Sequence, residues 1–253
     1  MKIATLFFLI IFFSASILNN QGSRRYFIVW NVGQGQWTSL VENNLCTHFD
    51  LGGEFAPFRK IREHCWRKPN EYIVSHWDTD HLSFLSGWLP PAGCLKLRPL
   101  GKSSRHKMAV MNKISTCTTD WNKDWKKAAP KNDSALDSNS KSHVVAAEGI
   151  LLPGDSPAEQ EKNWLNKMSP LNQIRILILG HHGSATSTSD ELLRQLPGLK
   201  MTVASARWKR YHHPHPKTLI KVAARRVPLL RTEDWGNLFF ELPPPGAIWP
   251  GAF

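Results

Sequence analysis

Acidic residues are scarce in this chain: 20 Asp and Glu stand against 32 Lys and Arg in 253 residues, a formal net charge of +12. Residues 192–232 contain ten Lys and Arg and no carboxylate, and residues 96–131 contain ten more against only Asp120 and Asp124. That distribution argues against a cationic partner and fits a polyanion, nucleic acid first. Anionic lipid or an envelope polymer would feel the same field, and a solvated basic surface is the bland alternative. Cysteine is also sparse. Cys46, Cys65, Cys94 and Cys117 form no C-x-x-C pair, which excludes a zinc-finger or dithiol redox motif. In an exported chain they could close two disulfides in any of three connectivities; otherwise they are four buried thiols.

Long apolar runs are absent after the first residues, so nothing later in the sequence spans a bilayer. The opening MKIATLFFLIIFFSASILNN is the exception: one Lys2, an apolar run over residues 3–13, then Ser14, Ala15 and Ser16. This is the layout of a secretory signal peptide. It lacks a clean A-x-A site, so an uncleaved membrane anchor through residues 3–18 is the alternative. The expected organisation is a leader over residues 1–23 and one domain over residues 24–253. The expected location is periplasmic or secreted, or at the inner membrane.

What the chain does have is a regular exchange of short apolar runs and amphipathic segments. The pattern predicts strands over residues 27–30, 39–41, 47–51, 72–75, 95–100, 175–179, 201–204, 229–232 and 238–242, and a strand pair over 143–152. Helices are expected over 55–66, from a Ser156-x-x-Glu159 capping box to 168, after Thr188-Ser189-Asp190-Glu191, and over 216–226. Residues 102–141 are basic, polar and without clear period. Trp121 and Trp125, spaced by four among lysines, could stack on bases or pack together.

The densest chemistry follows Tyr72-Ile73-Val74, where His76, Asp78, Asp80 and His81 fall within six positions. Imidazole and carboxylate are the usual ligands of a divalent cation, so this turn reads as metal-binding. Asp50, Asp155 and His181 also lie at or beyond strand ends, where mixed α/β folds carry their chemistry. Asp50 either orients a ligand histidine or closes its turn. Of the adjacent pair, His181 is expected at the metal, with His182 orienting it or acting as an acid toward the leaving oxygen. Ser184, Ser187 and Ser189 precede a helix and suit phosphate or simple capping.

Taken in order, VGQGQ at 32–36, FDLGG at 49–53, SHWDTDH at 75–81, LLPGD at 151–155, GHHGSATSTS at 180–189, YHHPHP at 211–216 and RTEDWG at 231–236 resemble the metallo-β-lactamase superfamily. More narrowly, they look like the hydrolase-like domain of the ComEC competence proteins. The resemblance implies an α/β fold, an αββα sandwich of the metallo-β-lactamase type, with two divalent metal ions, Zn²⁺, Mn²⁺ or Mg²⁺. It implies His76 and Asp78 at the first metal, Asp80 and His81 at the second, and Asp155 between them. It favours His213 as catalytic, beside Asp80 and His182, and His215 as a last ligand. Asp78 stands where the superfamily's usual H-x-H-x-D-H has its second His, Asn31 and Gln36 replace acids, and the usual histidine ahead of the G-D motif has no counterpart. His143 nearby reads as a strand residue. The channel part of ComEC proteins is missing from the sequence, so the expectation is a metal-dependent phosphodiesterase or nuclease acting on DNA, without an implied role in uptake. A small lactam, thioester or ester is the alternative substrate. A nucleic-acid-binding protein with a degenerate metal site is the alternative of another class.

Overall fold

The computed structural model describes residues 24–88, 93–130, 133–245 and 247; the leader expected over residues 1–23 lies outside them. Side-chain alternation builds the layers. In β1 (Arg25–Val29), Phe27 and Val29 enter one apolar cluster while Ile28 and the following Trp30 enter another. The same period of two recurs in β9 (Ile176–Ile178), where Ile176 and Ile178 face one cluster and Leu177 the other. Strands apolar on both faces must be covered on both faces, which requires a four-layer arrangement.

Two six-stranded sheets provide it. The first runs in the order β12 (Leu238–Leu242), β1, β2 (Trp37–Val41), β3 (Cys46–Leu51), β4 (Asn70–Ile73), β5 (Gly93–Leu97). The second runs β11 (Leu229–Arg231), β10 (Met201–Ala204), β9, β8 (Ile150–Leu152), β7 (Val144–Ala147), β6 (Lys126–Ala128). Strands β3 to β5 are parallel to one another, as are β8 to β11. Phe27, Leu40, Phe49 and Ile73 of the first sheet meet Val145, Leu152, Ile176 and Val203 of the second in the central core.

Helices α1 (Phe58–Cys65), α2 (Thr79–Leu82) and α3 (Arg105–Asn112) cover the outer face of the first sheet through Ile61, Cys65, Leu82 and Met111. On the second sheet, α4 (Ala158–Met168), α5 (Asp190–Arg194) and α7 (Pro216–Ala224) contribute Trp164, Leu165, Leu192 and Val222. The short α6 (Trp208–Tyr211) and α8 (Thr232–Trp235) are single turns. The expected αββα sandwich is the observed architecture. Among the described residues no helix is long and apolar enough to cross a membrane.

Several local expectations change. Helix α4 does not open on a Ser156 capping box: Pro157 is its N-cap, and the buried Ser156 Oγ instead accepts the indole N–H of Trp164 at 3.0 Å. Helix α1 starts after Pro57, three residues later than the period indicated, because the residue before a proline is disfavoured in the helical region. The unassigned stretch contains α3, capped by Ser104 Oγ accepting from Lys107 N at 3.3 Å, and β6. Trp125 is buried against Phe49 with ring centroids 5.8 Å apart, and Trp121 packs edge-on against Trp125, so this pair is core rather than a base-stacking platform.

The cysteines pair as Cys46–Cys65 and Cys94–Cys117, with Cα atoms 5.7 and 4.9 Å apart. The first ties β3 to the end of α1, and the second ties β5 to the segment after α3. Their partners are 19 and 23 residues apart in sequence, loops whose closure restricts the unfolded chain by about 3 kcal/mol each. Replacing Cys94 and Cys117 together by Ser is expected to lower unfolding stability by roughly 2–4 kcal/mol in guanidinium titrations, with a steeper slope because the released unfolded chain is less compact. An unaltered midpoint would show that the bridge does not constrain the unfolded chain.

Candidate metal centre

The parallel strands deliver their carboxyl ends to one edge, and the chemistry collects there. Strand β3 reaches it through an irregularity: Thr38 pairs with Phe49 but Trp37 pairs with Leu51, so Asp50 is an extra residue, in the left-handed region at φ 56°. A bulge of this kind re-aims one side chain without ending the strand, and Asp tolerates the left-handed conformation better than most residues. The Asp50 carboxylate accepts Ser75 N–H at 2.7 Å and Ser75 O–H at 2.9 Å. It also lies 2.8 Å from His81 Nδ1.

These bonds fix the histidine tautomers. Ser75 Oγ spends its only proton on Asp50, so at 2.8 Å from His76 Nδ1 it must accept from that nitrogen. His81 Nδ1 faces a carboxylate, and His182 Nδ1 lies 3.0 Å from the Ser205 carbonyl oxygen, which also only accepts. All three rings therefore carry hydrogen on Nδ1 and offer Nε2.

The Nε2 atoms converge. His81 and His182 approach to 3.3 Å between their Nε2 atoms. His182 Nε2 is 3.1 Å from Asp80 Oδ2, and His81 Nε2 is 3.0 Å from Asp155 Oδ1. His76 Nε2 lies 3.7 Å from Asp78 Oδ2 and 3.8 Å from Asp155 Oδ2. Ligand atoms of Asp80, His81, Asp155 and His182 all lie within 4.8 Å of one another. Two buried atoms, His76 Nε2 and Asp155 Oδ1, have no hydrogen-bond partner. Two imidazole lone pairs 3.3 Å apart repel unless a proton or a cation lies between them, so the donor set fits a divalent metal ion.

Glycines make the approach possible. A Cβ on Gly52 would come within 2.3 Å of the Asp80 carbonyl carbon, and one on Gly35 within 2.7 Å of the Asp80 oxygen. Gln36 N–H donates to that same oxygen at 2.9 Å, so the VGQGQ loop seats the start of α2 directly. His181 (φ 49°) and His182 (φ 55°) are consecutive left-handed residues, which turns the chain sharply after β9 and swings only the second ring into the centre.

Electrostatics follow the geometry. Burial opposes ionisation of Asp155, but the positive charges of His81 and His182 outweigh it and hold the carboxyl well below the usual range. Burial likewise opposes charge on His81, and Asp155 and Asp50 overcome it, raising that imidazole well above its ordinary value. Asp80 is also lowered: against its burial stand the hydrogen bond to His182 and the charges of His81 and His182. His213 is pushed down to about 4, mainly by burial and then by the neighbouring His182 and His181.

Two six-stranded sheets with helices on both outer faces, and a His/Asp cluster at their common edge, leave one comparison to decide. Against solved structures, the chain matches the metallo-β-lactamase fold protein YhfI from Bacillus subtilis with a TM-score of 0.54 at 11% identity, covering 86% of this chain and 99% of that one. This is the metallo-β-lactamase fold. In sequence, it is 28% identical over 226 residues to Competence protein ComA of Neisseria gonorrhoeae, covering 85% of this chain and 32% of the relative. Recombination protein 2 of Haemophilus influenzae is 29% identical over 202 residues, 73% of this chain and 25% of that protein. ComE operon protein 3 of Bacillus subtilis is 34% identical over 88 residues, 35% of this chain and 11% of its own. The chain thus spans a third or less of the length of these curated relatives. No family model matches it.

The metallo-β-lactamase fold brings together His76, Asp78, Asp80, His81, Asp155 and His182, with Asp50 behind His81. Of the adjacent histidines, His181, expected at the metal, has a side chain 30% exposed and lies 3.7 Å from Asp155 at the rim, while His182 is buried, 3.8 Å from Asp155 and 3.1 Å from Asp80. His215 is not brought into the cluster; its Nδ1 accepts Lys217 N–H at 3.1 Å and caps α7. Ser187 Oγ donates to Ser156 O at 3.0 Å and Ser189 Oγ accepts Leu192 N–H at 3.1 Å, so both hydroxyls are engaged within the fold. Ser184 Oγ is engaged with Thr186. His143 precedes β7 rather than lying in a strand, and its Nε2 is 2.7 Å from the Arg98 carbonyl oxygen, away from the centre. Ser75, Ser205 and Ser142, whose Oγ accepts Asp155 N–H at 3.1 Å, were not singled out from sequence. For Ser75 the only available signal was its position just before the His/Asp motif.

Without a cation, the Asp155–His81 pair ties stability to pH. Asp155 contributes above the unfolded carboxyl value and loses that contribution only in strong acid. His81 contributes fully below the unfolded imidazole value, about 6.5, and loses the contribution as pH rises through its raised folded value. In excess chelator, Tm is therefore expected to fall as pH rises from about 6.5 into the alkaline range, with a shallower fall in Asp50→Asn. A flat Tm in calorimetry over that interval would refute the pairing.

Proposed function

We infer that this chain is an exported, metal-dependent phosphodiesterase whose substrate is nucleic acid. The observation that carries the reading is the set of three inward Nε2 atoms and three carboxylates, one of whose buried atoms, His76 Nε2, has no hydrogen-bond partner. His76 and Asp78 would hold one cation, Asp80, His81 and His182 a second, and Asp155 would serve both. Mixed nitrogen and oxygen donors suit Zn²⁺ or Mn²⁺ better than Mg²⁺. Bound there, divalent cations supply Lewis acidity that activates water near neutral pH and offsets charge on a phosphoryl oxygen. The protein's own contribution is orientation: Asp50, Ser75 and the Ser205 carbonyl hold three rings in the tautomer that leaves Nε2 unprotonated.

Charge supports nucleic acid over a small neutral ester or lactam. Lys107 Nζ donates to the Trp77 carbonyl at 2.5 Å, which sets basic α3 against the metal-binding turn. Across the mouth, Arg207 and Arg210 gather on Glu54 at 2.9 and 2.7 Å. The relatives' names, competence and recombination proteins, point the same way. Two disulfides favour an oxidising compartment outside the cytoplasm.

A binding protein with a partial centre is the second reading, and one observation favours it. Among the described residues, His76, Asp78 and the shared Asp155 would face the first cation, with His181 at 3.7 Å from Asp155 on the rim, and the averted His143 adds no further imidazole.

Purified residues 24–253 are expected to cleave labelled DNA with Mn²⁺ or Zn²⁺, with Asp80→Ala and Asp155→Asn reducing the rate by about 10³-fold or more. Turnover that persists in a metal-free sample would end the hydrolytic reading. Metal analysis should give two cations per chain, falling to one in His76→Ala. Fewer than one per chain, with salt-sensitive DNA binding intact, would favour the binding protein.

A further inference from the structure

Gln34, in the VGQGQ segment, is 7% exposed and held at three points. Its backbone N–H donates to Glu54 Oε2 at 3.0 Å, its side-chain oxygen accepts Arg207 N–H at 3.1 Å, and its amide nitrogen lies 3.1 Å from His213 Nδ1. A backbone N–H only donates, so the atom facing Arg207 is the amide oxygen, and the side chain has one orientation. The amide nitrogen also only donates. His213 Nδ1 must therefore accept, which leaves the ring proton on Nε2.

His213 is placed where that proton matters. Its ring centroid is 6.1 Å from that of His181 at the rim of the centre. The segment is docked on the turn that carries the adjacent histidines, since His215 N–H donates to the Gly183 carbonyl at 2.9 Å and a Cβ on Gly183 would strike Pro214 at 2.7 Å. The centre's histidines present bare Nε2 atoms, whereas His213 presents Nε2–H.

We propose that Gln34 is a positioning residue that locks His213 in the Nε2–H tautomer, making it a hydrogen-bond donor to a substrate oxygen at the rim of the metal centre rather than a base. The identity of that oxygen, phosphoryl, rests on the phosphodiesterase reading; the tautomer does not. A neutral donor held in place stabilises developing negative charge without adding a titrating cation beside the metal ligands.

Histidine side-chain ¹⁵N NMR on the zinc-loaded protein tests this, with His213→Asn assigning the resonances. The wild type is expected to show a non-protonated Nδ1 and a protonated Nε2 at position 213. In Gln34→Glu, where a carboxylate can only accept, the proton is expected on Nδ1; in Gln34→Ala both tautomers should be populated. A protonated Nδ1 in the wild type, or the same pattern in all three proteins, would overturn the proposal. No turnover is read, so failure to cleave DNA and failure of the tautomer lock are separate results.

Discussion

The carboxylate of Asp50 is the interaction on which the active edge depends. It accepts hydrogen bonds from a serine that orients His76 and, at the same oxygen as the serine hydroxyl, from His81, so one buried acid fixes two of the three inward imidazoles. It reaches them only because an extra residue enters β3 and adopts a left-handed conformation. A regular strand would send that side chain into one of the apolar layers, where an ionised group without partners costs several kcal/mol. The neighbouring glycines belong to the same constraint, since any side chain on Gly52 would collide with the peptide that starts α2.

From this follows the electrostatic character of the edge. Carboxylates and imidazoles that would be unfavourable singly in a buried place are tolerated because they neutralise one another. The arrangement has more acceptor atoms than protons to satisfy them, and that imbalance separates a cation site from an ordinary buried ion-pair network. The outer ring, His181 and His213, is wetter and lies closer to the surface, as suits groups that meet a substrate.

Much of this was legible in the sequence because it is periodic or clustered. The short apolar runs Tyr72-Ile73-Val74 and residues 175–179 gave strands, and the packing of four ionisable groups after the first gave the metal-binding turn. The αββα architecture was implied by the family resemblance that the ordered motifs carry. What the sequence did not carry was direction. Nothing in GHHG states which histidine turns inward, since that depends on two successive left-handed residues. Nothing in SPAE reveals that Ser156 answers to Trp164 instead of the helix, and nothing in YHHPHP that His215 answers to Lys217. Ser75 and Ser205 act through a hydroxyl and a carbonyl that carry no distinctive residue signature.

The clustered imidazoles and carboxylates do not come from one sheet. His76, Asp78, Asp80 and His81 follow β4 of the first, whereas Asp155 and His182 follow β8 and β9 of the second. Both disulfides lie within the first half, so no disulfide joins the two sheets among the described residues. A cation bound at the shared edge would thus act as a clasp across the seam as well as a reagent. Mechanical tightness of the sandwich and chemical competence of the edge would then rise and fall together with metal supply.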